Sequence, residues 1–133
     1  QFLKMHCLDS DIVIAHFRGD LSIKGRLNSI SMEELFITPI TLCELYRGVF
    51  LSGNMEKDKL LIERLLERVN VLNFDLPACE IFGKAYKALK QSGKLTQDSD
   101  LMTASICISN NATLITRNKK HFENIKGLVI EVW

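Results

Sequence analysis

KMHCLDSDIVIAHF, residues 4–17, holds the choice between fold classes. KMHCL is a short, mostly apolar run that reads as a strand, and DIVIAHF behind it reads as a short helix closed by the turn Arg18 to Asp20. Between them stand two carboxylates, Asp9 and Asp11, at a strand end and a helix start. A strand that runs straight into a helix opens a βα unit, and the question is whether the unit repeats.

It does. Residues 21–33 read as helix and ELFIT at 34–38 as a second strand. PITLCELYRGVF then carries Leu42, Leu45, Tyr46 and Val49 at i, i+3, i+4 and i+7, the stripe of a buried helix face. After the break SGN, a charged amphipathic helix is expected from Glu56 to about Val69. VNVLNF reads as a third strand, and Pro77 suits the first turn of a helix that stops at QSG, 91–93. A helix over 98–109, a strand ATLIT and a last strand GLVIEVW complete the chain, with no repeat or linker. Alternating strands and helices predict a three-layer α/β/α sandwich around a mainly parallel sheet of about five strands, with ligands at the carboxyl ends of the strands.

Composition narrows the class. With 133 residues, 47% of them hydrophobic, the chain reads as one domain able to bury a core. Seventeen basic against sixteen acidic residues leave no bulk field for a polyanion or a membrane, so any nucleic-acid contact must be a local patch. Cys7, Cys43, Cys79 and Cys107 are widely separated, each beside apolar residues, which points to buried free thiols in a reducing cytoplasm. No run is long enough to span a bilayer and no signal-peptide layout opens the chain. Met5 reads as a natural start, with residues 1–4 a remnant ahead of it.

The acids carry the chemistry. Asp11 and Asp98 both have an ordinary reading as helix N-caps. Asp9 comes one residue after a strand and two before the expected cap. Glu44 shares a helix face with Ile40, Thr41, Arg47 and Gly48, opposite the leucine stripe, and its plain alternative is an exposed pair with Arg47. Asp100 leads into DLMTASICIS, a helix with almost no other charge, where a carboxylate must be paired or ligated. Carboxylates without histidine or cysteine partners suit a hard cation, Mg²⁺ or Mn²⁺, and the three histidines and the serines form no nucleophile–base set. Metal-assisted hydrolysis of a phosphate ester is the chemistry such residues offer.

Four blocks, CLDSDIVIAHFRGD, PITLCELYRG, QDSDLMTAS and ATLITRNKKHFENIKGLVIEVW, resemble in order the blocks of PIN-domain proteins, and in particular the VapC-type toxins of toxin–antitoxin pairs. The resemblance implies a metal-dependent endoribonuclease, a homodimer and a small antitoxin of the VapB type. It places the family's acids on Asp9, Glu44 and Asp100 as the catalytic, metal-holding set. The fourth acidic position falls on Asn118, a departure that leaves a second ion without a charged ligand. Asp11 stands where the family often has Asn, Asp98 is an extra acid, and Thr41 and Thr116 are placed to orient carboxylates or waters. Arg117, Lys119, Lys120 and His121, on the same rim, offer contacts to an RNA backbone.

Two other readings stay open at this level. LDSDIV also fits the D-x-D-x-[TV] loop of haloacid-dehalogenase-type phosphatases, although no block supplies their later lysine and Glu44 would have no part. A binding-only PIN domain, weakened by Asn118, is the other. The apolar positions Leu60, Leu61, Ile62, Leu65, Leu66 and Val69 make a stripe wider than one packing seam needs, so part of it is free for an antitoxin helix or a second subunit.

Overall fold

The computed structural model describes residues 4–133; residues 1–3, most of the segment ahead of Met5, lie outside the described residues. The strands are β1 (His6–Leu8), β2 (Leu35–Ile37), β3 (Asn70–Val71), β4 (Thr113–Thr116) and β5 (Val129–Val132). The helices are α1 (Ser10–Phe17), α2 (Leu21–Asn28), α3 (Pro39–Leu51), α4 (Met55–Leu66), α5 (Leu76–Gln91) and α6 (Asp98–Ser109), with 3₁₀ turns at Met32–Glu34 and Lys119–His121. The sheet order is β3-β2-β1-β4-β5 and every pairing is parallel. The expected mainly parallel α/β sandwich is thus wholly parallel.

Period-2 alternation along the strands divides the core. Leu8, Leu35, Ile37 and Ile115 point to one face and pack with Ile12, Val13, Ile23, Leu45 and Ile62 from α1 to α4. Cys7 and Leu114 point to the other and pack with Ala78, Leu89, Leu101 and Cys107 of α5 and α6. Strands covered on both faces must be apolar at successive positions, which explains HCL and TLIT. Each fully buried Leu or Ile contributes roughly 1.5–3 kcal/mol of transfer free energy.

The helix ends are written locally. Thr38 caps α3 by accepting from the Thr41 N–H, with Pro39 opening the helix, and Asp75 caps α5 by accepting from the Ala78 N–H ahead of Pro77. Gly19 (φ 84°) and Gly93 (φ 69°) supply the left-handed residue that ends α1 and α5. After α1, the Gly19 N–H reaches the His16 carbonyl and the Asp20 N–H that of Ala15, and Asp20 then caps α2.

Besides shifts of one or two residues at strand ends, α2, α4 and β3 differ from the sequence reading. α2 stops at Asn28, where the Ser29 hydroxyl donates to the Arg26 carbonyl, and residues 32–34 form a 3₁₀ turn instead. α4 ends at Leu66, leaving Val69 in the chain beyond it. β3 is two residues long: Asn70 and Val71 pair with Phe36 and Ile37, and the chain leaves the sheet edge after the Leu72 N–H donates to the Ile37 carbonyl. Cys7 and Cys107 are buried free thiols as expected, but Cys43 and Cys79 are exposed, since each sits on the outer side of its helix. Among the described residues no helix is long and apolar enough to cross a membrane.

β1 lies between β2 and β4, so the order of the chain reverses at β1/β4. In parallel sheets such a reversal opens a crevice at the carboxyl ends of the two strands. Asp9 follows β1 there, and Arg117 and Asn118 follow β4.

Candidate functional site

Asp9 is the N-cap of α1 and is only 6% exposed. Its Oδ1 accepts from the Ser10 N–H at 2.8 Å and its Oδ2 accepts from the Thr116 hydroxyl at 2.8 Å. The Asp9 N–H donates to the Ile115 carbonyl and its own carbonyl accepts from the Ile12 and Val13 N–H groups, so β4 and α1 fix its backbone. Burial, and then the charge of Asp11, push the Asp9 carboxyl up from 3.8 to about 7, against the two hydrogen bonds that favour its ionised form.

Asp11 is not the cap expected of it: Asp9 takes that place, and Asp11 sits within the first turn of α1, facing the end of β4. Its Oδ2 accepts from the Arg117 N–H at 2.9 Å and lies 3.4 Å from the Thr116 hydroxyl, while its Oδ1 is buried without a partner. Thr116 therefore ties both aspartates to the end of β4, and its oxygen accepts in turn from the Asn118 N–H at 3.0 Å. Replacing Thr116 with Val should destabilise the protein by about 1–3 kcal/mol, because a carboxylate oxygen and an N–H both lose their partner inside the fold. Urea melts check this, and an unchanged midpoint would mean that the hydroxyl holds neither group.

Asp100, in the first turn of α6, completes the group from the other face of the sheet. Burial raises its pKa, the His121 imidazole opposes that, and Asp11 adds to it. His121 Nδ1 stands 3.5 Å from Asp100 Oδ2. Glu44 enters from α3, also raised by burial and then by Asp100, with Arg47 pulling the other way. Four acids from three helices thus share one field at the carboxyl edge of the sheet.

The remaining sequence candidates fall in different places. Asp98 is exposed in the first turn of α6 and caps nothing; Gln97 holds the cap position, without a side-chain bond. Asn118 is exposed, and its side chain makes no capping bond to the turn it starts. The Thr41 hydroxyl is buried against that of Thr38, with an Oγ1–Oγ1 separation of 3.5 Å, because Thr38 needs the first turn of α3 for its cap. The Arg117 guanidinium is held by Asp20 at 2.8 Å, whereas Lys119 and Lys120 are exposed. Sequence reasoning missed the capture of Arg117 by Asp20 and the pairing of His121 with Asp100. Their partners are distant in sequence, so no local signal marks them.

Among the described residues no group of three or more His, Cys, Asp or Glu side chains is arranged so that it could hold a metal ion as it stands. The donor chemistry nevertheless fits a hard cation. Magnesium takes one or two protein carboxylates and completes its shell with water and phosphate oxygens. The unpartnered buried Asp11 Oδ1 and the raised Asp9, Glu44 and Asp100 show negative charge that the protein's own cations leave under-compensated.

The fold agrees with the known proteins that the chain is similar to. A PIN domain model matches residues 6–128. Ribonuclease VapC1 of Haemophilus influenzae (strain R2866) is 35% identical over 131 residues, spanning 97% of this chain and 98% of that protein. The tRNA(fMet)-specific endonuclease VapC of Shigella flexneri is 29% identical over 127 residues, spanning 95% of this chain and 96% of that one. Among solved structures, VapBC2 from Rickettsia felis bound to a DNA fragment from its promoter aligns with a TM-score of 0.91 and 29% identity over 97% of this chain and 98% of that chain. The chain belongs to the PIN-domain family and groups with its VapC-type members. LDSDIV is accordingly the first block of a PIN domain, not a phosphatase loop.

Proposed function

We propose that the chain is a divalent-metal-dependent endoribonuclease, acting in the cytoplasm as the toxin of a VapBC-type pair, with Mg²⁺ or Mn²⁺ as its cofactor. One observation carries this reading: Asp9, Glu44 and Asp100 converge at the topological switch of a parallel sheet, each with its carboxyl raised by burial and by a neighbouring acid. Such a group is unfavourable unless a cation joins it. A bound divalent ion would supply a water of lowered pKa and offset the charge that builds on a phosphodiester.

The chain's own residues divide the remaining work. Asp9 and Asp100 approach from opposite faces of the sheet and would hold the ion, with Glu44 beside Asp100. Thr116 fixes the orientation of Asp9 through its 2.8 Å bond. Asp11, anchored on the Arg117 N–H, holds the end of β4 against α1 and adds negative charge. Asp98 and Asn118 have accessory parts, and Thr41, turned to Thr38, supports α3 rather than a carboxylate. Lys119 and Lys120 contact the RNA backbone; Arg117, held by Asp20, mainly braces the loop.

Asn118 brings no charge to the rim. Calorimetric titration of the RNA-free protein with Mn²⁺ should therefore show one site, tightened in Asn118→Asp. Two sites of similar affinity in the wild type would contradict the assignment of Asn118 as a missing ligand.

The partner surface is the one that α1, α3 and α4 build. Of the six apolar positions named above, Ile62, Leu65 and Val69 are buried, whereas Leu60 is 43% exposed. A groove of about 360 Å³ runs past Ile14, Phe17 and Leu61 to Glu44. It suits an apolar segment of a VapB-type antitoxin, and Phe50 and Leu51, 68% and 81% exposed at the end of α3, suit a homodimer. Expression in the native host should slow growth, and co-expression of the antitoxin should restore it. Normal growth with the protein alone would overturn the toxin reading.

A further inference from the structure

On the His121 side of the rim, a second groove of about 270 Å³ lies between the end of α5, the loop that follows it and the 3₁₀ turn after β4. Its lining is mixed: Leu89 and Ile125 are buried beneath it, and Leu95 stands 47% exposed at its side among polar groups. Its rim carries Lys94, Lys120, His121 and Asn124, and no acidic side chain lines it. His121 connects it to the acids, since the same imidazole stands 3.5 Å from Asp100. The basic edge is fixed by backbone geometry. Gly93, at φ 69°, lets the Lys94 N–H turn back to the Leu89 carbonyl at 2.8 Å, while its own N–H reaches that of Lys90 at 3.2 Å. Lys94 therefore leaves a defined turn, on the same groove as Lys120 from the opposite wall.

We propose that this groove is the subsite for a nucleotide adjoining the scissile phosphate of single-stranded RNA, an inference that rests on the nuclease reading above. The exposed Leu95 side chain takes the face of one unstacked base. The Asn124 amide offers both a donor and an acceptor to the base edge. Lys94 and Lys120 hold flanking phosphates as point charges. The strand thus leaves the acids along α5 rather than along Arg117, whose guanidinium is paired with Asp20. The size of the groove and its lack of acidic lining favour one nucleotide over an apolar helix.

The test is anisotropy of a fluorescein-labelled, mixed-sequence single-stranded RNA in EDTA, across a salt series. Each lysine that neutralises a phosphate on a single strand contributes about 0.7 to the slope of log affinity against log salt. The Lys94→Gln/Lys120→Gln double variant should therefore lose about 1.4 from that slope, and at least about tenfold in affinity near physiological salt. Lys87→Gln, exposed on α5 and outside the groove, is the control. In Mn²⁺, Asn124→Ala and Leu95→Ala should redistribute the cut positions on the same RNA. Wild-type binding and cleavage with an unchanged slope in the double variant and unchanged cut positions in Asn124→Ala would overturn the subsite alone and leave the nuclease reading standing. A wild type that neither binds nor cuts RNA would overturn both readings.

Discussion

Asp9→Asn, Glu44→Gln and Asp100→Asn should each lower RNA cleavage at least about a hundredfold, because positioning of the metal and activation of its water fail together. The substitutions are nearly isosteric, so the fold should survive them. Asp98→Asn, on an exposed side chain with no partner at the rim, should lose about tenfold or less. The comparison within DSD is the informative one. Asp98 and Asp100 are two residues apart, yet Asp98 is exposed, whereas Asp100 is half-buried and lies against His121. Initial rates on one labelled RNA check the set. A loss in Asp98→Asn as large as that in Asp100→Asn would mean that the wrong aspartate has been placed at the metal.

Asp9→Asn should also stabilise the metal-free protein at neutral pH. The Asp9 carboxyl titrates near 7 in the folded chain against 3.8 as its ordinary value, so between those limits the native state holds a proton that the unfolded state has released. The stability this contributes is fully present below about pH 4 and is lost as the pH rises through about 7. A shift of this size corresponds to roughly 2–4 kcal/mol at most, given the charge that Asp9 shares with Asp11. In EDTA, the wild type should therefore lose stability relative to Asp9→Asn as the pH rises from 5 to 8, with the variant ahead at the upper end. The difference between the two proteins is the quantity to follow, since His16, lowered by burial, slopes the other way in both. Mn²⁺ should raise the melting temperature of the wild type and leave the variant nearly unmoved. A variant less stable than the wild type at pH 8 in EDTA would contradict the strain assigned to Asp9.

The fold was legible because its signals are local. Leu–x–x–Leu–Tyr spacing makes α3 a helix, and Pro39, Pro77, Gly19 and Gly93 punctuate at the ends they require. β3 is shorter than its composition suggests, since VNVLNF reads as a strand over six residues but its bonding to β2 ends at Leu72. The site was legible in its acids and not in its wiring. That Asp9 caps α1 while accepting from Thr116, 107 residues away, follows from β1 pairing with β4, which periodicity alone does not dictate. Asp11 lost its expected capping role for the same reason: once Asp9 occupies the cap, Asp11 faces the Arg117 N–H across the switch point. The basic run RNKKH reads as one patch, but Arg117 turns to Asp20 and His121 to Asp100, and among the described residues no carboxylate pairs with Lys119 or Lys120.

The most direct measurement is cleavage of an end-labelled RNA by metal-stripped protein, with and without added Mn²⁺, beside the Asp100→Asn protein. The expected result is no product in excess EDTA, discrete internal fragments when Mn²⁺ is restored, and at least about a hundredfold less of them from the variant. Undiminished cutting in excess EDTA, or by Asp100→Asn, would contradict a metal-dependent nuclease centred on these carboxylates.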